Sequence, residues 1–199
     1  MRDNSLELVV CVIPDVDNHL CHICNFVCVG GDIHHLVVLK MTTLVAIDPG
    51  VNGGIACHWP GCKVWAIKMP ATDGDLVKLF HCIIDKFSDS KTVFYLEDLV
   101  KFSKNPRPES VVTTYAANCG SLKGMIQYSA SVLHLVRAQT WLKALSLGSK
   151  GDRSQTQWKN HLKAHAQRTF PHLDVTLATS DALCILHYAE QLNKEFTGL

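Results

Sequence analysis

No apolar run in these 199 residues approaches the roughly 20 needed to cross a bilayer, so a membrane partner is not expected. Residues 6–14 are apolar but short, and neither a basic segment nor a small-residue cleavage site frames them, so no signal peptide is expected. Internal repeats and low-complexity tracts are missing. So is a GKS or GKT phosphate loop, which removes one common nucleotide cradle. Acids are scarce in the middle of the chain. Residues 101–168 hold eleven Lys and Arg against only Glu109 and Asp152, a balance of +9, while the rest carries −8 and the whole only +1. Such a one-sided split suits a polyanionic partner. The nine cysteines lack an even framework, which predicts free thiols in a reducing, cytoplasmic compartment.

What is present reads as a globular chain, 47% hydrophobic and 19% charged. Residues 1–40 stand apart. They hold Cys11, Cys21, Cys24 and Cys28 with His19, His22, His34 and His35, and little periodicity. Cys21 and Cys24 form a CxxC, but the second pair of a zinc site is missing. The favoured reading is an N-terminal extension without a fold of its own, ahead of a start at Met41. Residues 41–199 form the domain.

That domain opens on TTLVAIDPGVNGGIAC, residues 42–57. Leu44 to Ile47 are a short buried strand ending on Asp48, and Pro49, Gly50, Gly53 and Gly54 turn the chain into a second strand, 54–59. A third strand spans 63–69. A helix follows over 73–87, with Asp73 as N-cap and a stripe of Leu76, Val77, Leu79, Phe80, Ile83 and Ile84. TVFYL, 92–96, is a β-branched and aromatic strand that ends on Glu97. A polar loop, 101–108, leads to a long helix, 109–128. A fifth strand covers 131–136, and helices cover 139–147, 153–170 and from 179 or 180 to about 196. Hairpin-joined strands followed by alternating strands and helices imply an α/β fold. Its mixed five-stranded sheet would be flanked by helices on both faces.

Three carboxylates stand at element ends: Asp48, Glu97, and Asp181 in the first turn of the last helix. Alone, Asp48 is equally a turn cap or a metal ligand. If the first and fourth strands are neighbours, Asp48 and Glu97 meet, and the last helix can add Asp181. Oxygen-only ligands of this kind suit Mg²⁺ or Mn²⁺. Two such ions about 4 Å apart would serve phosphodiester hydrolysis. With the basic segment beside them, the trio reads as a metal site rather than as three separate caps.

In this frame the chain from Met41 resembles the RuvC-type Holliday junction resolvases, above all those of bacteriophages, within the ribonuclease-H-like superfamily. The matching pieces are AIDPGVNGGIA (46–56), VFYLED (93–98), NCGSLKGM (118–125), QTWLKALSL (139–147) and SDALCIL (180–186), in the family's order. The resemblance implies a homodimeric endodeoxyribonuclease of bacterial or phage-infected cytoplasm. It would cut four-way or branched DNA in recombination, repair or phage DNA processing. It also implies Asp48, Glu97 and Asp181 as metal ligands, one or two Mg²⁺ or Mn²⁺ per subunit, no nucleotide cofactor, and the helix over 109–128 as the dimer interface.

Two positions depart from the family pattern. Ala178 stands where a fourth ligand, Asp or His, is usual, so Asp174, Asp98 or water would have to serve. Val100 stands where relatives carry a junction-inserting aromatic, and Phe102 is the nearest substitute. Lys143, after the matching Thr-Trp pair, is expected to approach the scissile phosphate as a catalytic residue. Lys101, Lys104, Arg107, Lys150 and Arg153 are expected to hold the DNA backbone with it. Lys159, Lys163 and Arg168 are expected on a solvated helix face. Two rivals remain: a branched-DNA-binding protein with weakened catalysis, and an actin-like phosphotransferase. The second would need another Asp–Gly-rich hairpin, which this chain lacks.

Overall fold

The computed structural model describes residues 42–59, 61–85, 91–98, 109–129 and 131–193; of Val111 only the backbone is described. The predicted extension and the loop carrying Lys101, Phe102, Lys104 and Arg107 lie outside them.

Five strands form one sheet in the order β3-β2-β1-β4-β5. β1 (Thr42–Asp48) pairs antiparallel with β2 (Gly54–His58), and β2 with β3 (Trp65–Lys68). On its other side β1 pairs parallel with β4 (Lys91–Glu97), and β4 with β5 (Val132–Val136). This is the expected mixed sheet, with the ribonuclease-H-like arrangement. The three antiparallel strands come from consecutive hairpins. Each parallel partner arrives only after a helical crossover, α1 (Asp73–Asp85) before β4 and α2 (Glu109–Tyr128) before β5.

Strand parity sorts the core. Leu44, Ala46, Val93 and Tyr95 pack with buried residues of α3 (Ala138–Ala144), α4 (Gln155–Thr169) and α5 (Ser180–Leu192). The alternate positions face the other way, where Phe94 meets Phe80 of α1 edge to face, ring centroids 5.2 Å apart. Every residue of β1 is buried, so the strand is covered on both faces. Each large aliphatic side chain so buried contributes about 1.5–3 kcal/mol.

Local side-chain caps set the starts of α4 and α1. Ser154 accepts a bond from the Gln157 amide at 3.2 Å and Gln157 Oε1 returns one from the Ser154 amide at 2.8 Å, so α4 starts at Gln155 rather than at 153. Thr72, not Asp73, caps α1: its hydroxyl oxygen accepts from the Asp75 amide at 3.1 Å. Asp73 lies within the helix and instead accepts from Ser121 Oγ of α2 at 2.9 Å. The hydroxyl is the shorter arm, and the adjacent carboxylate is left to tie the two helices together.

Candidate metal centre

Asp48 follows Leu44 and Ala46 in parity, and Glu97 follows Val93 and Tyr95. Both carboxylates are therefore aimed at the face that carries α3, α4 and α5. The parallel register sets Ile47 beside Leu96, so the next residues, Asp48 and Glu97, end their strands side by side. Antiparallel pairing sets Asp48 opposite Gly54, where β2 begins. Asp181 enters from the first turn of α5. Each of the three is only 8% exposed, which is unusual for a carboxylate and calls for compensating partners.

Those partners come from α3, α4 and α5. Trp141 of α3 donates its indole N–H to Glu97 Oε1 at 3.3 Å. Ser180 Oγ donates to Asp181 Oδ1 at 3.0 Å. Lys159 of α4 donates from Nζ to Asp181 Oδ2 at 2.6 Å, and the same ammonium lies 3.8 Å from Asp48 Oδ2. Lys159 is thus not on a solvated face, as its polar helix suggested. It is half-buried between two of the carboxylates, and it is the residue that sequence reasoning missed. Lys163, one turn further on, is also half-buried.

Three acids against one ammonium leave the site short of positive charge. Burial first, then repulsion by Asp181 and by Glu97, holds the Asp48 carboxyl well above its usual value, against the pull of Lys159. Burial, then Asp181, raises Glu97 as well, while the Trp141 hydrogen bond and Lys159 oppose the rise. A hydrogen bond joins the two carboxyls, which adds to the rise at Asp48 and opposes it at Glu97. Burial works against a charge on Lys159, but attraction to Asp181 and Asp48 outweighs it and raises its pKa.

The donors are hard oxygens, they are buried, and they are under-compensated. That chemistry fits a hard divalent cation such as Mg²⁺ or Mn²⁺. Among the described residues, no three acidic, His or Cys side chains are already grouped around a common ion position. Between Asp48 and Asp181 stands the Lys159 ammonium.

At Gly53 and Gly54 of the opening turn the space of a side chain is filled by backbone, whereas a Cβ on Gly50 would meet nothing within 4 Å. A Cβ on Gly53 would collide with the carbonyl oxygen of Asp48. On Gly54 it would lie 2.6 Å from the carbonyl oxygen of Ala178 and 2.9 Å from that of Ile67. The strand-one hairpin therefore packs directly against the chain entering α5, which fixes Asp48 relative to Asp181.

The basic residues expected to touch DNA divide into two groups. Lys143 is exposed on α3, and Lys150 and Arg153 are exposed in the segment before α4. Arg153 donates to the Ser149 carbonyl at 2.8 Å, and its guanidinium lies 5.7 Å from the Trp158 ring centroid. Lys101, Phe102, Lys104 and Arg107 belong to the segment outside the described residues. Asp98, one of the expected substitutes for a fourth ligand, lies 3.9 Å from Lys123 of α2. Asp174, the other, is exposed.

Fold and site together define a ribonuclease-H-like domain with an acidic centre at one end of its sheet. Among solved structures, two of Thermus thermophilus RuvC are similar to it, both with a TM-score of 0.46. One, 13% identical, covers 75% of this chain and 96% of its own. The other, described as a complex with Holliday junction substrate, is 11% identical and covers 76% of this chain and 96% of its own. No protein-family model and no curated protein matches the sequence. Among the described residues no helix is long and apolar enough to cross a membrane.

Proposed function

We propose that this chain is a structure-specific endodeoxyribonuclease that cuts four-way or branched DNA by metal-dependent phosphodiester hydrolysis. One observation carries the reading: Asp48, Glu97 and Asp181 are buried together with a deficit of positive charge, at the end of a sheet flanked by a strongly basic segment. The ordered sequence resemblance to RuvC-type resolvases supplies the substrate.

In this reading Asp48, Glu97 and Asp181 would hold Mg²⁺ or Mn²⁺. The bound ion would activate the attacking water and stabilise the leaving oxygen. The chain's own groups orient that site. Trp141 fixes Glu97, Ser180 fixes one oxygen of Asp181, and the hairpin's contact with Ala178 sets the spacing. Lys143, Lys150 and Arg153, with Lys101, Phe102, Lys104 and Arg107, would hold the DNA, and Lys143 would approach the phosphate that is cut.

The active species would be a homodimer. Val112, Ala116, Gly120, Gly124 and Tyr128 recur every fourth residue on α2, and all are exposed. A Cβ at Gly120 or Gly124 would meet nothing within 4 Å, so a second helix has room to approach this stripe closely. Two sites in a symmetric dimer would make paired cuts.

The test is a synthetic four-way junction with Mg²⁺ and the full chain. Paired symmetric nicks are expected, lost in Asp48→Asn. Glu97→Gln should lose cutting yet keep junction affinity, since the basic segment remains. Ala178, which offers no side-chain donor, favours a second reading: a junction-binding protein with weakened catalysis. Tight binding without nicks in either Mg²⁺ or Mn²⁺ would select it.

A further inference from the structure

The Lys159 ammonium sits where a cation belongs. We propose that Lys159 is a built-in replacement for one of two metal ions, so that the acidic centre takes a single divalent ion per chain. The inference rests on the nuclease reading and specifies the composition of its site.

Geometry carries it first. Both oxygens of Asp181 are engaged, Oδ1 by Ser180 Oγ at 3.0 Å and Oδ2 by Lys159 Nζ at 2.6 Å. An ion on the Asp181 side must displace that ammonium. On the other side Glu97 Oε1 accepts the long 3.3 Å bond from Trp141, Asp48 Oδ2 lies 3.8 Å from Lys159 Nζ, and a hydrogen bond joins the two carboxyls. An ion that replaces the hydrogen bond between these two carboxyls enters between Asp48 and Glu97 and leaves the short Lys159–Asp181 bond in place.

Charge balance points the same way. Fully ionised, three carboxylates and one ammonium carry two net negative charges, which one divalent ion neutralises. A second would leave a buried excess of positive charge, which is costly. The local chain offers no remedy. The residues entering α5 are Ala178, Thr179 and Ser180, and the Ala178 backbone is packed against Gly54, so no further acid faces the centre from that segment.

An ammonium also does part of what a metal would do. It has three N–H donors, of which one is used by Asp181, so the others remain to donate to a phosphate oxygen. Lys159 reaches the centre from the first turns of α4, beside the stripe of Trp158, Leu162 and Ala166 that is buried in the core. The ammonium is therefore held in place by a packed helix rather than by a loop.

The measurement is Mn²⁺ binding to the full chain, counted by electron paramagnetic resonance of the free ion, for wild type, Lys159→Met and Lys159→Gln. Far-UV circular dichroism identifies folded variants, and two substitutions guard against one failing to fold. Wild type should bind one Mn²⁺ per chain. A folded variant should bind a second, or bind the first at least ten-fold more tightly. Two ions in wild type, or identical binding in all three proteins, would overturn the role of Lys159 and leave the nuclease reading standing. No Mn²⁺ in any of them would sink both.

Discussion

Trp141 donates its indole N–H to Glu97 across 44 positions of sequence, and both groups are buried. The bond reaches the strand-end carboxylate from α3 and opposes the rise in its pKa. Replacing the indole by a benzyl ring, Trp141→Phe, removes the donor and keeps most of the apolar volume. A loss of about 1.5–3 kcal/mol is expected where the bond is to a charged group. Junction cutting should fall by ten-fold or more while junction affinity is unchanged. Parallel nicking and gel-shift titrations check this.

Gly53 tolerates no side chain, because a Cβ would meet the Asp48 carbonyl. Gly53→Ala should destabilise by more than about 3 kcal/mol, which for a domain of this size lowers Tm by roughly 10 °C. Thermal unfolding followed by circular dichroism gives the answer. An unshifted Tm would mean the turn is looser than described.

The acidic centre makes a sign-specific claim about pH. Asp48 and Glu97 have folded pKa values raised above their ordinary 3.8 and 4.5. The native state therefore binds more protons than the unfolded chain, and their contribution to stability falls as pH rises from about those values through the raised ones. Asp48→Asn removes one such group. Without metal, the variant should gain on wild type steadily as pH climbs from 4 to 7. Saturating Mg²⁺ should reverse the order, because the ion binds only the native wild-type site tightly. Urea midpoints across pH, with and without Mg²⁺, provide the comparison.

The exposed stripe on α2 yields a prediction about assembly. Gly124→Arg places a long charged side chain in open space on the monomer and raises helix propensity by up to about 1 kcal/mol. Monomer stability should not fall. Sedimentation velocity should show wild type as a dimer and the variant as a monomer. A variant that remains dimeric would mean that α2 is not the interface.

Much of this was legible in the residues. TTLVAID and TVFYLE read as buried strands because apolar runs this short suit a sheet covered on both faces, and each ends on an acid. Asp48 and Glu97 at strand ends and the mixed sheet followed from those runs and from the hairpin turns, while the pairing of β1 with β4 stood only as a condition. Lys159 was not legible. It lies in QTQWKNHLKAHAQRT, a helix with few apolar residues, and it flanks the stripe of Trp158, Leu162 and Ala166 just as Lys163 does. Period alone cannot separate the two lysines. Which turn of α4 lies beside the carboxylates is decided by its packing on α5. Trp141 was visible beside Lys143, but its indole partner is 44 residues away in sequence, and only the sheet brings it close. Asp73 gave way to Thr72 as cap for a local reason, since both are good caps and adjacent.

The burial of β1 and β4 on both faces has a further consequence. An amphipathic strand resists a one-residue slip, because slipping would send its apolar side chains into water. These two strands have little such protection, since either face of each would still meet core. What a slip in β4 would change is Glu97, turned from Asp181 and Lys159 toward α1. A deletion inside β4 could thus give a well-folded protein with a silent centre. Reading frame along the strand is guarded by the chemistry at its tip more than by the oil along its length.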